Sequence, residues 1–490
     1  MSLSDSQQAL DDGRTAYAAG DFDLAYTQFE KAMTLNPRCA RAYCGRGNVL
    51  SQRGDFDAAE RDYATAIHLD PQDAVSYFNR AIVFSSTGRF EAAIQDLGQP
   101  VGFDPNCARY WFLRGYCLLY TGKAERAVSA FNESLRLDPK DAWAHSCRGM
   151  AKVLSGRLDE ALHDFDRAIG QGCNVAESYA WRGYTLVMLG EEEAADASFQ
   201  EAFRIEPQSG PCYSLRSAAL YVQGQYDAAI RAADQALSLL AADPNTLYYR
   251  GLAEGMLGRY GDAIRDFTEA IRLDLRYAEA YIARGLAWKM RGVIDKAIDD
   301  YNRAIELRPD AEAFCRRGSA QLERLGHEGV TGPLTRALAD FDTAISLQCE
   351  SAEAHAWRGY TLVLFGERDG AELSFREALR LDPQNVQTYL IRSLASYQRG
   401  DFKSAIRYSQ QALVLAPTHP DAFYYRGFAF MRLGRLDDAI QDFTDAIQHR
   451  PSFSAAYSAR SCAWGRKGDA DNARADAIRA ADLQPDPYVE

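Results

Sequence analysis

The residue with most chemical capacity in this 490-residue chain is an arginine that recurs. Arg46, Arg148, Arg250 and Arg426 are each followed sixteen positions later by an aspartate: Asp62, Asp164, Asp266 and Asp442. A guanidinium and a carboxylate held at fixed separation form a bidentate, charge-assisted pair, and partial burial turns that pair into a joint between two elements. Five equivalent arginines lack the aspartate: Arg114, Arg182, Arg216, Arg358 and Arg392. Each needs another partner, either a carboxylate from a neighbouring segment or an acidic ligand, and the neighbour is the simpler source.

Other chemistry is thinly represented. The seven histidines are scattered, with none at i, i+4 spacing from another ligand. No C-x-x-C pair, H-E-x-x-H, phosphate-cradling glycine loop or nucleophile elbow occurs, so the reading is no metal, no cofactor and no enzyme. Ten dilute cysteines are expected to be buried or half-buried thiols in a reducing cytosol. The balance of 55 basic against 68 acidic residues gives −13, which argues against a phosphate-backbone partner. Apolar runs stop after a few residues, short of a membrane span, and MSLSDSQQAL carries no secretion signal; the expectation is a cytoplasmic protein.

The elements that position the arginines follow from internal repetition. AIRDFTEAIRL (Ala263 to Leu273) returns as AIQDFTDAIQH (Ala439 to His449). A 34-residue frame gives fourteen consecutive units starting at 6, 40, 74, 108, 142, 176, 210, 244, 278, 311, 352, 386, 420 and 454. Place 20 of the frame is always Ala; place 8 is Gly, or Ala81, Ser217, Ser393 or Ser461. Place 27 is Ala except at Pro100 and Ser134, and place 24 is aromatic in ten units. Small residues let two helices approach, and the aromatic four places after Ala shares its face and fills the room it leaves. Gly at place 15 in thirteen units and Pro at place 32 in ten supply the stops, so each unit is helix, turn, helix, turn.

This pattern resembles the tetratricopeptide repeat family over essentially the whole chain; Trp111, Gly115, Ala127, Phe131 and Pro139 carry its signature in one unit. A departure is Arg at place 7 in thirteen units, where the family usually has Leu. The resemblance implies an all-α, right-handed α-solenoid in which the first helix of each pair lines a concave groove. Places 2, 5, 6, 9, 12 and 13 would face that groove. They include Phe112, Tyr116, Trp143, Trp181, Tyr184, Tyr248, Tyr249, Trp357, Tyr360, Tyr424 and Tyr425, residue types that dominate binding hot spots. Chaperone-binding members hold a carboxylate with Lys at place 5, which is never Lys here, so Asn48 and Asn79 are isolated matches.

Residues 176–208 match 352–384 at 20 of 33 positions, so a block of about five units is duplicated within one continuous solenoid. The expected blocks are 6–175, 176–351 and 352–487. Irregular units carry Gly170, Gly172 and Cys173, the GHEGVTG run (Gly326 to Gly332), and Gly98 with Pro100, the last expected to shorten or kink a helix. Polar residues on the first and last helices read as caps with no further domain beyond them. The function expected is a non-catalytic scaffold that grips a peptide or protein segment in the aromatic groove. A self-assembling homo-oligomer is the alternative.

Overall fold

The computed structural model describes residues 3–239, 242–324, 331–347 and 351–483. Among these residues there are 28 α-helices and no strand. The GHEGVTG run lies mostly outside the described residues. The chain divides into two compact units, Met1–Ala241 and Ala242–Glu490. In each unit the two helices of a repeat, A and B, pack side by side, and B packs in turn on the next A.

One repeat shows why the sequence folds this way. Helix α3 (Ala40–Gln52) ends at Gly54, whose φ of 79° is left-handed and costs little without a side chain. Asp55 then accepts from the backbone N–H of Ala58 and caps α4 (Phe56–Leu69). Asp70 leaves the helix in extended conformation, and Pro71 follows. All thirteen glycines of place 15 have positive φ.

The aromatic of place 24 is housed by the glycine of place 8 rather than by the alanine on its own helix. A Cβ built on Gly47 would lie 2.8 Å from the Tyr63 ring, one on Gly115 2.8 Å from Phe131, and one on Gly427 2.7 Å from Phe443. The ten glycines at place 8 face ten aromatics, whereas Ala81, Ser217, Ser393 and Ser461 face Leu97, Ala233, Ser409 and Ala477. Each helix pair is thus a matched knob and hole.

Pro100 does not shorten its helix. Helix α6 (Phe90–Phe103) has the same 14 residues as α4, because Pro100 falls in its last turns and its ring packs at the buried position other repeats give to Ala. Gln7, Gln8, Asp11, Asp12 and Arg14 are exposed on α1 (Leu3–Ala18), as a polar outer face requires. Asp476, at the other end, is instead buried in a pair with Arg460. Of nine described cysteines, Cys462 is the exposed one, against the burial expected of it.

Two junctions break the stacking rule in the same way. Helix α13 (Gly210–Val222) packs mainly on α11 (Ala176–Met188) and barely on α12 (Glu192–Ile205). Helix α23 (Val386–Gln398) does likewise with α21 (Ala352–Phe365) and α22 (Arg368–Leu381). Ala180 and Ala356, both fully buried where several repeats carry a bulky side chain, leave room for the two A helices to close.

Candidate functional site

The recurring arginine is a structural joint. All eight aspartates of place 23 receive it, and in each pair Nε and a terminal nitrogen donate to the two carboxylate oxygens. Examples are Arg46 to Asp62 at 2.8 and 2.8 Å, Arg80 to Asp96 at 2.7 and 2.8 Å, and Arg460 to Asp476 at 2.7 and 2.7 Å. The densest case is Asp164 on α10 (Leu158–Gly170), which is wholly buried. Arg148 donates to it at 2.8 and 2.6 Å, Lys152 Nζ lies 2.9 Å away and His145 Nδ1 3.5 Å. Burial alone would raise the Asp164 carboxyl; the approach of His145, Arg148 and Lys152 outweighs it and holds the group well below the usual carboxylate range.

Four of the five arginines without that aspartate are held by the preceding repeat. Arg182 donates to Asp166 at 2.7 Å and Arg358 to Asp342 at 2.6 Å, and each also reaches a serine, Ser198 or Ser374. Arg216 meets Asp196 at 2.7 Å and Arg392 meets Glu372 at 2.6 Å. The last two acids lie twenty positions upstream, not sixteen. At the two anomalous junctions the arginine has therefore moved one helical turn along the preceding B helix. There it also covers that helix's aromatic, Phe199 at 4.8 Å and Phe375 at 5.7 Å. Each of these four thus has a carboxylate within the chain, while Nη1 of Arg216 is buried without a hydrogen-bond partner among the described residues. Arg114 has no carboxylate among the described residues.

The aromatic set separates on burial. Tyr360, 8% exposed, lies in the core with Leu334, Phe375 and Ile391, and it leaves the candidate set for that reason. Phe112, Tyr248 and Tyr424 are half-buried and lean on the place-24 rings of their own repeats, with centroids 5.8, 5.9 and 6.1 Å from Phe131, Phe267 and Phe443. Tyr249 and Tyr425 are half-buried beside Tyr248 and Tyr424, at 5.5 and 5.8 Å. Trp181 and Trp357 stand edge-on to Tyr184 and Tyr360 at 6.0 and 5.9 Å. Tyr116, half-buried, contacts Tyr120 at 4.7 Å. Trp143 is half-buried against Leu118 and Phe131.

Exposed apolar surface lies one turn further on, at place 13. In the first unit Tyr120, Leu154, Met188 and Val222 are 52, 58, 43 and 44% exposed. Tyr120, Leu154 and Met188 follow one another in in-register repeats, and Val222 lies past the shifted junction. In the second unit Met256 and Met290 are 57 and 52% exposed. A search confined to aromatics missed this ledge, although six consecutive repeats carry an apolar residue there. Beside it in the first unit, Glu177 is half-buried with no cation in ion-pair distance among the described residues, and burial raises its carboxyl.

A cavity of about 540 Å³ opens near the chain start, lined by Arg14, Tyr17, Arg41, Gly45 and Asn48 among others. Its Asn48 oxygen already accepts from Tyr63 Oη and from Asn79 Nδ2, both at 2.8 Å, so the two asparagines bind each other. No helix of the described residues is long and apolar enough to cross a membrane.

Comparison with known proteins agrees with this architecture. A model of the tetratricopeptide repeat matches residues 10–74, 44–100, 78–142, 250–312 and 332–386, and two further models of that repeat match 391–481 and 176–209. Among curated proteins none matches. The chain superposes on a solved structure of the APC/C hetero-tetramer Cut9–Hcn1 with a TM-score of 0.54 and 14% identity, over 98% of this chain and 96% of that one. A repeat protein from Parabacteroides merdae aligns over 51% of this chain and 99% of its own, with TM-score 0.42 and 18% identity. YrrB, described as having an unusual peptide-binding site, aligns over 38% of this chain and 95% of its own, with TM-score 0.34 and 23% identity.

Proposed function

Since the chain belongs to the tetratricopeptide repeat family, we propose that it is a non-catalytic scaffold whose A helices hold a segment of another protein. The observation that carries this reading is the ledge at place 13. A folded chain buries apolar side chains where it can, and large exposed apolar stretches mark interaction surfaces. Tyr120, Leu154 and Met188 are exposed at equivalent places of consecutive repeats, with Tyr116, Trp181 and Tyr184 on the same helices to frame them.

The recognition would be burial of apolar side chains on a surface the helices already hold in shape, so most of the ordering cost falls on the incoming segment. Glu177 adds a specificity element. A half-buried carboxylate with no cation beside it among the described residues favours an occupant that brings a lysine or arginine.

Leu154→Asp combined with Met188→Asp is expected to abolish capture of the partner from native cells. Both side chains project to solvent, so the melting temperature should stay within about 2 °C. Trp181→Ala is expected to weaken binding by about 1–3 kcal/mol. Unchanged capture by the double variant, with the fold intact, would remove the ledge from the account.

A further inference from the structure

Of the thirteen arginines at place 7, twelve hold a carboxylate at 2.6 to 2.8 Å, and Arg114 holds none among the described residues. All three sources that serve the others are missing around it, the third being place 21 of the preceding repeat, which gives Asp196 to Arg216 and Glu372 to Arg392 and is Ile94 here. Place 23 of its own repeat is Ala130, where eight repeats have Asp. Place 25 of the preceding repeat is Gly98, where Asp166 and Asp342 serve Arg182 and Arg358. The Nε of Arg114 is buried and without a hydrogen-bond partner. In eight of the paired arginines this same edge, Nε with a terminal nitrogen, grips the carboxylate.

The surroundings hold the guanidinium ready and leave space for a guest. It lies over the Trp111 ring at 5.6 Å, and the Trp111 indole is fixed by donation to the Pro105 carbonyl at 2.8 Å. Beyond the backbone of their own helix and their chain neighbours, no heavy atom of the described residues lies within 4 Å of where a Cβ would stand on Gly98 or on Gly102. Burial, and after it the charge of Arg126, disfavours the cation, so a counter-charge there relieves an uncompensated cost.

We infer that Arg114 is a receptor for a carboxylate, supplied by an aspartate or glutamate side chain of a bound protein and gripped through the edge, Nε with a terminal nitrogen, that eight of its counterparts fill internally. The twelve internal examples favour a carboxylate over other anions. The inference is independent of the ledge, because the positions it rests on, Gly98 on α6, Trp111 on α7 (Ala108–Tyr120) and Arg126 and Ala130 on α8 (Ala124–Leu137), are not ledge residues.

The test uses an array of acidic peptides, with sodium glutarate as the free-carboxylate probe, on the full chain and two variants. Ala130→Asp supplies the missing internal acid and should raise the melting temperature, so loss of binding in it cannot be ascribed to unfolding. Arg114→Gln removes the cation. The expected result is a set of peptides that bind the natural chain and lose at least about tenfold in affinity to both variants, and equally when their own Glu is changed to Gln. Undiminished binding to Ala130→Asp, or no peptide that distinguishes Arg114→Gln, would overturn the inference. Glutarate binding as tight as the best peptide would overturn the protein source.

Discussion

Replacing Asp164 by alanine is expected to lower the free energy that protects the amides of α9 (Ala142–Leu154) and α10 by about 3–5 kcal/mol, as read by native-state hydrogen exchange. The magnitude comes from what is left behind. Arg148 and Lys152 converge on one fully buried carboxylate, and its removal strands two cations in a site of low polarity. Asp164→Asn should cost less, because the amide oxygen still accepts one bond. The pH dependence has a definite sign. Asp164 is depressed in the folded chain relative to about 3.9 in an unfolded one, so its contribution is present above pH 4 and fades as pH falls toward its folded value. Asp164→Asn should remove that acid-sensitive component while leaving the neutral-pH profile flat. Protection equal to that of the natural chain would mean that the three cationic or ionisable neighbours contribute nothing.

A comparable loss is expected from the matched knob and hole. Phe443→Ala should destabilise the Ala242–Glu490 unit by about 3–5 kcal/mol, since a fully buried ring is replaced by a cavity. Gly427→Val should cost about 1–3 kcal/mol from the other side, because its first carbon would already lie 2.7 Å from that ring. The two sites should be coupled. Gly427→Ala with Phe443→Leu reproduces the pair that α5 (Ala74–Ser86) and α6 use naturally, Ala81 with Leu97, and should be less destabilised than the sum of its single changes. Strict additivity in denaturant titrations would contradict the packing account.

The repeat frame was readable because its fixed places report backbone requirements. A left-handed turn admits glycine, a helix stop admits proline, and a close helix approach admits alanine. The ion pairs were readable for a similar reason, as Arg and Asp recur sixteen apart. What the sequence concealed depends on relations between helices rather than on residue type. The one-turn shift at Arg216 and Arg392 is invisible until their acids are seen twenty positions upstream. Pro100 was expected to shorten or kink α6, yet the helix keeps its 14 residues and Pro100 packs near its end as a small buried residue. The aromatic search gathered Tyr360, which the core encloses, and passed over Leu154 and Met188, which solvent reaches. Ring chemistry identified residues able to bind; exposure identifies those that are free to do so.

The measurement closest to the central claim is site-specific photo-crosslinking in the native cell. A benzophenone amino acid at Leu154, on the ledge, should give one adduct of defined mass that an excess of the untagged chain competes away. The same probe at Ser129, exposed on helix α8, should give none. Identical adducts from both positions, or none from Leu154, would contradict a partner seated along the A helices.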